Sequence, residues 1–187
     1  MFRYGLDHLT VGQALSILRG DLKATLSSEA EANIKKSHEI VLKTAQKDKP
    51  VYGINTGFGP LCDTIISKKD TSELQRKILL SHSVGVGEPI EKDLAKLMMI
   101  LKMRSLSQGS AGMTMAVLER LQCHIENDII PLVPEQGSVG ASGDLAPLSH
   151  LFLPLIGEGK VLYKKQIEKS YNVLLREGLK PLKLHPK

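Results

Sequence analysis

The sequence has no tryptophan, and aromatic residues fill only 4% of its 187 positions. Its core is therefore expected to be aliphatic, built from Leu, Ile, Val, Ala and Met. Cysteine is almost absent: Cys62 and Cys123 lie far apart and form no C-x-x-C pair. This argues against a disulfide framework or a zinc site and for reduced thiols in a cytoplasmic protein. The opening residues, MFRYGLDHLTVG, carry no apolar signal region, and no apolar run approaches the ~20 residues of a membrane span. No association with a membrane is expected. Arginine is nowhere interleaved with aromatics, and the net charge of +5 is scattered over pairs such as Lys35-Lys36 and Lys164-Lys165. Those lysines read as solvated helix faces and loops, with no nucleic-acid partner. His, Asp and Glu show no metal-ligand spacing, so no metal is expected.

What remains is a chain of ordinary apolar content, 42%, with helical periodicity over most of its length. Ser28-x-x-Glu31 suggests a capping box opening a helix that carries Ile34, Val41, Leu42 and Ala45 on one face and ends before Lys49-Pro50. A second helix is expected from about Asp70, carrying Leu74, Ile78 and Ser81-His82. A third spans about Glu91 to Ser107, with Leu94, Leu97, Met98 and Leu101 inward. A fourth covers about Met113 to Glu126, with Met115, Val117, Leu118, Leu121 and Ile125 as its apolar set. A fifth begins at Asp144. Towards the end, residues 160–163 read as a short strand and Tyr171 to Glu177 as a short helix stopped by Gly178. This last stretch looks less packed, and the final residues read as a chain cut in mid-element.

Two glycine-rich stretches, residues 51–60 and 134–143, break the helical rhythm. The second permits unusual chemistry. If the backbone nitrogen of Gly143 attacks the carbonyl carbon of Ala141, a five-membered ring closes through Ser142. The small neighbours make such compression possible. Loss of water, and then of the Ser142 hydroxyl, leaves an exocyclic methylene, an electrophile that no ordinary side chain supplies. Asp144 is expected to cap the following helix and to assist proton movement. The helix N-terminus adds partial positive charge beside the ring.

The longer run Gly137-Ser138-Val139-Gly140-Ala141-Ser142-Gly143-Asp144-Leu145-Ala146-Pro147-Leu148 resembles the signature of the aromatic amino acid ammonia-lyases and aminomutases that carry a methylidene-imidazolone. In that family the tripeptide cyclises as described. Tyr52-Gly53-Ile54-Asn55-Thr56-Gly57-Phe58-Gly59 is similar to the family's tyrosine loop. The similarity implies that Tyr52 removes the substrate β-proton and that Gly59 lies at the substrate. A free tyrosine has a pKa near about 10, so this role needs a stabilised phenolate. Ser81-His82-Ser83-Val84-Gly85-Val86-Gly87-Glu88-Pro89 looks like a third family segment. Histidine-specific members typically carry Ser-His at that pair, whereas phenylalanine and tyrosine lyases usually carry others. His82 is therefore expected to exchange a hydrogen bond with an imidazole ring.

The resemblance implies a mainly α, aspartase/fumarase-like fold with a few short strands. Residues 1–187 would form its N-terminal domain, without the central helical bundle of the longer family members. It also implies elimination of ammonia from L-histidine to give urocanate, with 4-methylidene-imidazol-5-one formed from Ala141, Ser142 and Gly143 and no external cofactor. The full-length protein is expected to be a homotetramer and this portion alone to be inactive. Alternatives are a tyrosine or phenylalanine lyase, an aminomutase, or a noncatalytic folded fragment. Ala111 and Ser149 depart from the family pattern, where Ser and Ala are common.

Overall fold

A computed structural model describes residues 1–140 and 142–185, except for the side chains of Lys68 and Lys69. The fold is mainly helical, with α1 Val11–Arg19, α2 Ser28–Ala45, α3 Lys68–His82, α4 Lys92–Leu106, α5 Met115–Glu126, α6 Leu145–Phe152 and α7 Ser170–Arg176. Its short strands are β1 Phe2–Tyr4, β2 Ala24–Leu26, β3 Val86–Pro89, β4 Ile130–Pro131, β5 Pro134–Gln136, β6 Lys160–Tyr163 and β7 Gln166–Lys169. They make a parallel pair β1–β2, an antiparallel pair β3–β5 and a three-stranded sheet in the order β4-β6-β7. Among the described residues, no helix is long and apolar enough to cross a membrane.

The core is not purely aliphatic. Phe2 and Tyr4 are 2% and 1% exposed and meet edge to face, with ring centroids 5.2 Å apart. Alternation along β1 turns both rings inward, as the pleat requires. A three-residue strand is too short for that alternation to be legible beforehand. The two rings belong to one buried cluster with Ile17, Ala30, Ile34, Met99, Ile100, Met103 and Leu121. Neither α1 nor the β1–β2 pair was expected. Thr10 caps α1 with a reciprocal Thr10–Gln13 box, and Gly20 closes it in the left-handed conformation.

Two expectations about the helices need correction. On α4 the buried face is Ala95, Met99, Ile100, Met103 and Leu106, while Leu94 and Leu101 are half exposed. The helix is apolar almost all round from Leu94 to Leu101, so periodicity alone did not choose a face. Contact with α1 and α5 chose it. On α2 the cap is Ser27, whose hydroxyl accepts the Ala30 N–H at 3.1 Å; Ser28 is already helical. Ser27→Ala is expected to cost about 1 kcal/mol and Ser28→Ala much less, measured by urea unfolding. Equal losses would restore Ser28 as the cap.

The last third is better packed than its composition suggests. Ile129, Val161, Tyr163 and Val173 form a second buried cluster beneath the β6–β7 hairpin and α7. Beyond α7 the chain returns to the body, with the Leu182 N–H on the Leu155 carbonyl at 2.9 Å.

Candidate active site

Helix α3 ends at His82 because Ser83 leaves helical geometry, at φ −81° and ψ 60°, while its N–H still closes onto Leu79 and Leu80. The half-buried His82 turns Nδ1 to the Ile78 carbonyl at 2.8 Å. A carbonyl can only accept, so Nδ1 carries the proton and Nε2 is an acceptor. Ser81 donates to the same carbonyl at 3.1 Å. Among the described residues nothing donates to His82 Nε2.

Beyond His82 the chain enters β3, which pairs with β5, so Val86 faces Gln136 and Pro89 faces Pro134. The glycine-rich stretch 134–143 was expected to be loop throughout, yet its first three residues are strand. This pairing joins the His82 segment to the loop carrying Ser142, and α3 also packs against α6 at the loop's far end. The junction is tight. A Cβ on Gly85 would lie 3.1 Å from the Gln136 oxygen, from Pro134 Cβ and from His150 Nε2. A Cβ on Gly137 would lie 2.9 Å from Gly85 Cα. The Gly85 N–H donates to His150 Nε2 at 3.0 Å, and burial lowers the pKa of that imidazole.

Past Gly137 the loop opens. Ala141 lies outside the described residues. Ser142 is exposed, and Gly140 and Gly143 take φ of +78° and +71°, with open space around Gly140. The Ser138 hydroxyl donates to the Gly143 carbonyl. Among the described residues the Gly143 N–H has no hydrogen-bond partner. Among the described residues, then, nothing engages the nitrogen that ring closure would need. Asp144 stands at the N-terminus of α6, but its side chain makes no capping bond. Its φ of −117° and ψ of −2° depart from the extended backbone of an ordinary cap, contrary to the capping role expected of it. Its exposed carboxylate makes no hydrogen bond among the described residues.

Tyr52 is 63% exposed, its ring edge-on to Phe58 with centroids 5.6 Å apart. Among the described residues its hydroxyl has no hydrogen-bond partner. The buried Asn55 anchors this loop. Its Oδ1 accepts the Val51 N–H at 2.7 Å, and its Nδ2 donates to the Lys47 and Lys49 carbonyls, each at 3.0 Å. Gly59, at φ +56°, opens a short 3-10 turn with nothing near its would-be Cβ, so conformation rather than crowding calls for glycine there. The loop leads through Ser67 into α3, and no hydrogen bond among the described residues ties it to the Ser142 loop.

Sequence reasoning missed His150, Gly85 and Asn55 as organisers of the site. Each acts through a backbone contact that no spacing reveals, though the glycine at 85 was a cue to close approach. A cleft of about 990 Å³ lies elsewhere; Lys23, Lys92, Lys96 and Asp128 are among its lining residues and none of the expected site residues is. No group of three His, Cys, Asp or Glu suited to a metal occurs among the described residues.

The family profile described as "Aromatic amino acid lyase" matches residues 9–187. The chain belongs to the aromatic amino acid lyase family. A curated histidine ammonia-lyase from Staphylococcus aureus (strain MRSA252) is 44% identical over 181 residues, covering 97% of this chain and 36% of the relative. The chain thus spans about a third of the length of the curated relatives it matches. Among solved structures, histidine ammonia-lyase from Trypanosoma cruzi superposes with a TM-score of 0.88 at 31% identity, over 98% of this chain and 36% of that one. Tyrosine aminomutase from Streptomyces globisporus superposes with a TM-score of 0.90 at 32% identity, over 100% of this chain and 35% of that one. The helical fold described above is therefore the aromatic amino acid lyase fold over this portion.

Proposed function

We propose that this chain is the N-terminal domain of a histidine ammonia-lyase, a carbon–nitrogen lyase that converts L-histidine to urocanate and ammonia. The observation carrying this reading is the β3–β5 junction. It joins the segment bearing His82, an acceptor at Nε2, to the loop bearing Ser142. The identity of 44% to a histidine ammonia-lyase supports the same assignment.

In this reading Ala141, Ser142 and Gly143 form the methylidene-imidazolone, which supplies an electrophilic carbon for the substrate amine. The exposed loop gives Ser142 room, and Gly143 offers an unengaged N–H for cyclisation. His82 Nε2 accepts the N–H of the substrate imidazole and orients the side chain. Tyr52 takes the β-proton, its phenolate stabilised by groups beyond the described residues. Asp144, uncommitted at the helix end, relays protons during cyclisation. Gly59 lets backbone come close to substrate. The intact protein is a cytoplasmic homotetramer, and residues 1–187 alone do not turn over substrate.

Intact mass of the chain, mapped to the peptide containing residues 141–143, tests the electrophile. The expected result is a deficit of two water molecules that disappears in Ser142→Ala. A wild-type peptide of unmodified mass would remove the electrophile from this reading. Urocanate formed by the chain alone would overturn its inactivity.

A second reading is supported by the likeness to tyrosine aminomutase, since an acceptor at His82 Nε2 also suits a phenol O–H. In a protein of the relatives' length, turnover of L-histidine well above that of L-tyrosine is expected. The reverse order would transfer the assignment to a tyrosine enzyme.

A further inference from the structure

Three segments converge on one backbone amide. Gly85 follows His82 by three positions and lies on the route into β3. Gly137 follows β5 and precedes Ser142 by five. Any Cβ added to Gly137 would come within 2.9 Å of Gly85 Cα. Closing the junction from the third side is His150, on the last turn of α6, with Nε2 accepting the Gly85 N–H at 3.0 Å. That bond spans 65 residues of chain and ties the helix downstream of Ser142 to the strand downstream of His82. Loss of the acceptor would leave the Gly85 N–H unpaired in a crowded, part-buried site, and such a group costs more than an average hydrogen bond is worth.

We propose that His150 is a positioning residue: its imidazole, accepting the Gly85 amide, fixes the separation between His82 and the Ser142 loop. The inference rests on the proposed function for its consequence in catalysis, but the clamp itself is independent of it. His150 acts through Gly85, whose N–H its imidazole accepts. Two features follow. The residue at 150 must present an acceptor at the position of Nε2, so shape alone does not suffice. The clamp must also couple both segments, so releasing Gly85 loosens residues 137–143 as well as 84–87.

The test compares the wild-type chain with His150→Leu, which keeps bulk without an acceptor, and His150→Gln, whose amide oxygen can reach the same place. Amide hydrogen exchange is followed residue by residue, with far-UV circular dichroism to show that each variant folds. In His150→Leu the Gly85 amide is expected to exchange roughly tenfold faster. Residues 137–143 are followed by backbone NMR order parameters, which should fall in His150→Leu, and His150→Gln should restore both readouts. Gly85 quickening with no change in residues 137–143 would reduce the bond to a local one and overturn the proposal. So would unchanged exchange in His150→Leu, or Gln behaving like Leu. Should His150→Leu fail to fold, wild type against His150→Gln decides: retained protection at Gly85 with retained order in residues 137–143 supports the clamp, and loss of either overturns it. The mass of the 141–143 peptide is read in the same samples. An unmodified wild-type peptide would count against the electrophile and leave the exchange result to decide the clamp separately. A deficit that shrinks in Leu and returns in Gln would extend the clamp to ring closure.

Discussion

Gly5→Ala is expected to lower the stability of the fold by about 4 kcal/mol, a large share of what a domain of this size has to lose. Gly5 follows β1 at φ +83°, where the chain turns back so that Leu6 and Asp7 donate to the Arg3 carbonyl at 3.2 and 2.9 Å. An added Cβ would sit 2.4 Å from Ala30 Cβ and 2.8 Å from the Ser107 oxygen. Both neighbours are buried, at 1% exposure each. The left-handed backbone costs an alanine about 1–2 kcal/mol, and forcing the helices apart adds about 1–3 kcal/mol. Gly20→Ala is the control. Gly20 has nearly the same φ, +82°, but nothing within 4 Å of its would-be Cβ. It should cost about 1 kcal/mol. Urea unfolding of the two variants separates the terms, and equal losses would show that backbone conformation, not close approach, requires glycine at 5.

His124 gives the second large effect, through pH. It lies on α5 with 0% exposure, and among the described residues neither ring nitrogen has a hydrogen-bond partner. Burial, reinforced by the neighbouring Arg120 guanidinium, pushes its pKa down to about 3. The unfolded chain takes up a proton at this residue near pH ~6.5, while the folded chain does so only near pH 3. Between those values the unfolded state binds more protons, so stability falls as pH falls. The slope approaches about 1.4 kcal/mol per pH unit below the unfolded pKa, for a loss of about 2 kcal/mol between pH ~6.5 and ~4.5. His150, with its pKa lowered by burial, acts in the same direction. Comparison with His124→Leu cancels that contribution. The leucine variant should be as stable as wild type or more so at pH ~7, because an unpaired polar ring gives way to apolar bulk. Its advantage should then widen on acidification. Two unfolding curves that fall in parallel would sink this account of His124.

The candidate site was legible where the chemistry proposed for it depends on a contiguous run of residues. Gly137 to Leu148, Tyr52 to Gly59 and Ser81 to Pro89 can each be read without knowing what they touch. The helices were legible wherever one face is clearly apolar. Residues 70–82 and 115–126 fell within expected helices, and on α5 the apolar set included the buried Val117, Leu118, Leu121 and Ile125. Where a helix is apolar all round, as α4 is, the pattern carried no orientation. Where a strand is three residues long, as β1 and β5 are, there was too little pattern to read.

By itself, then, the sequence determined helical content, the two glycine-rich breaks and the family, because these depend on local periodicity and on residues adjacent in the chain. Tertiary structure alone decided which face of α4 is buried, that Ser27 and not Ser28 caps α2, and that the Asp144 side chain does not cap α6. It also decided that Gly85, Gly137 and His150 meet, although 65 residues separate the donor from its acceptor. The physical reason is common to all four. Hydrogen bonds at helix ends and contacts between backbones depend on where distant segments come to rest, and that follows from burying the whole apolar surface at once rather than from any one stretch of it.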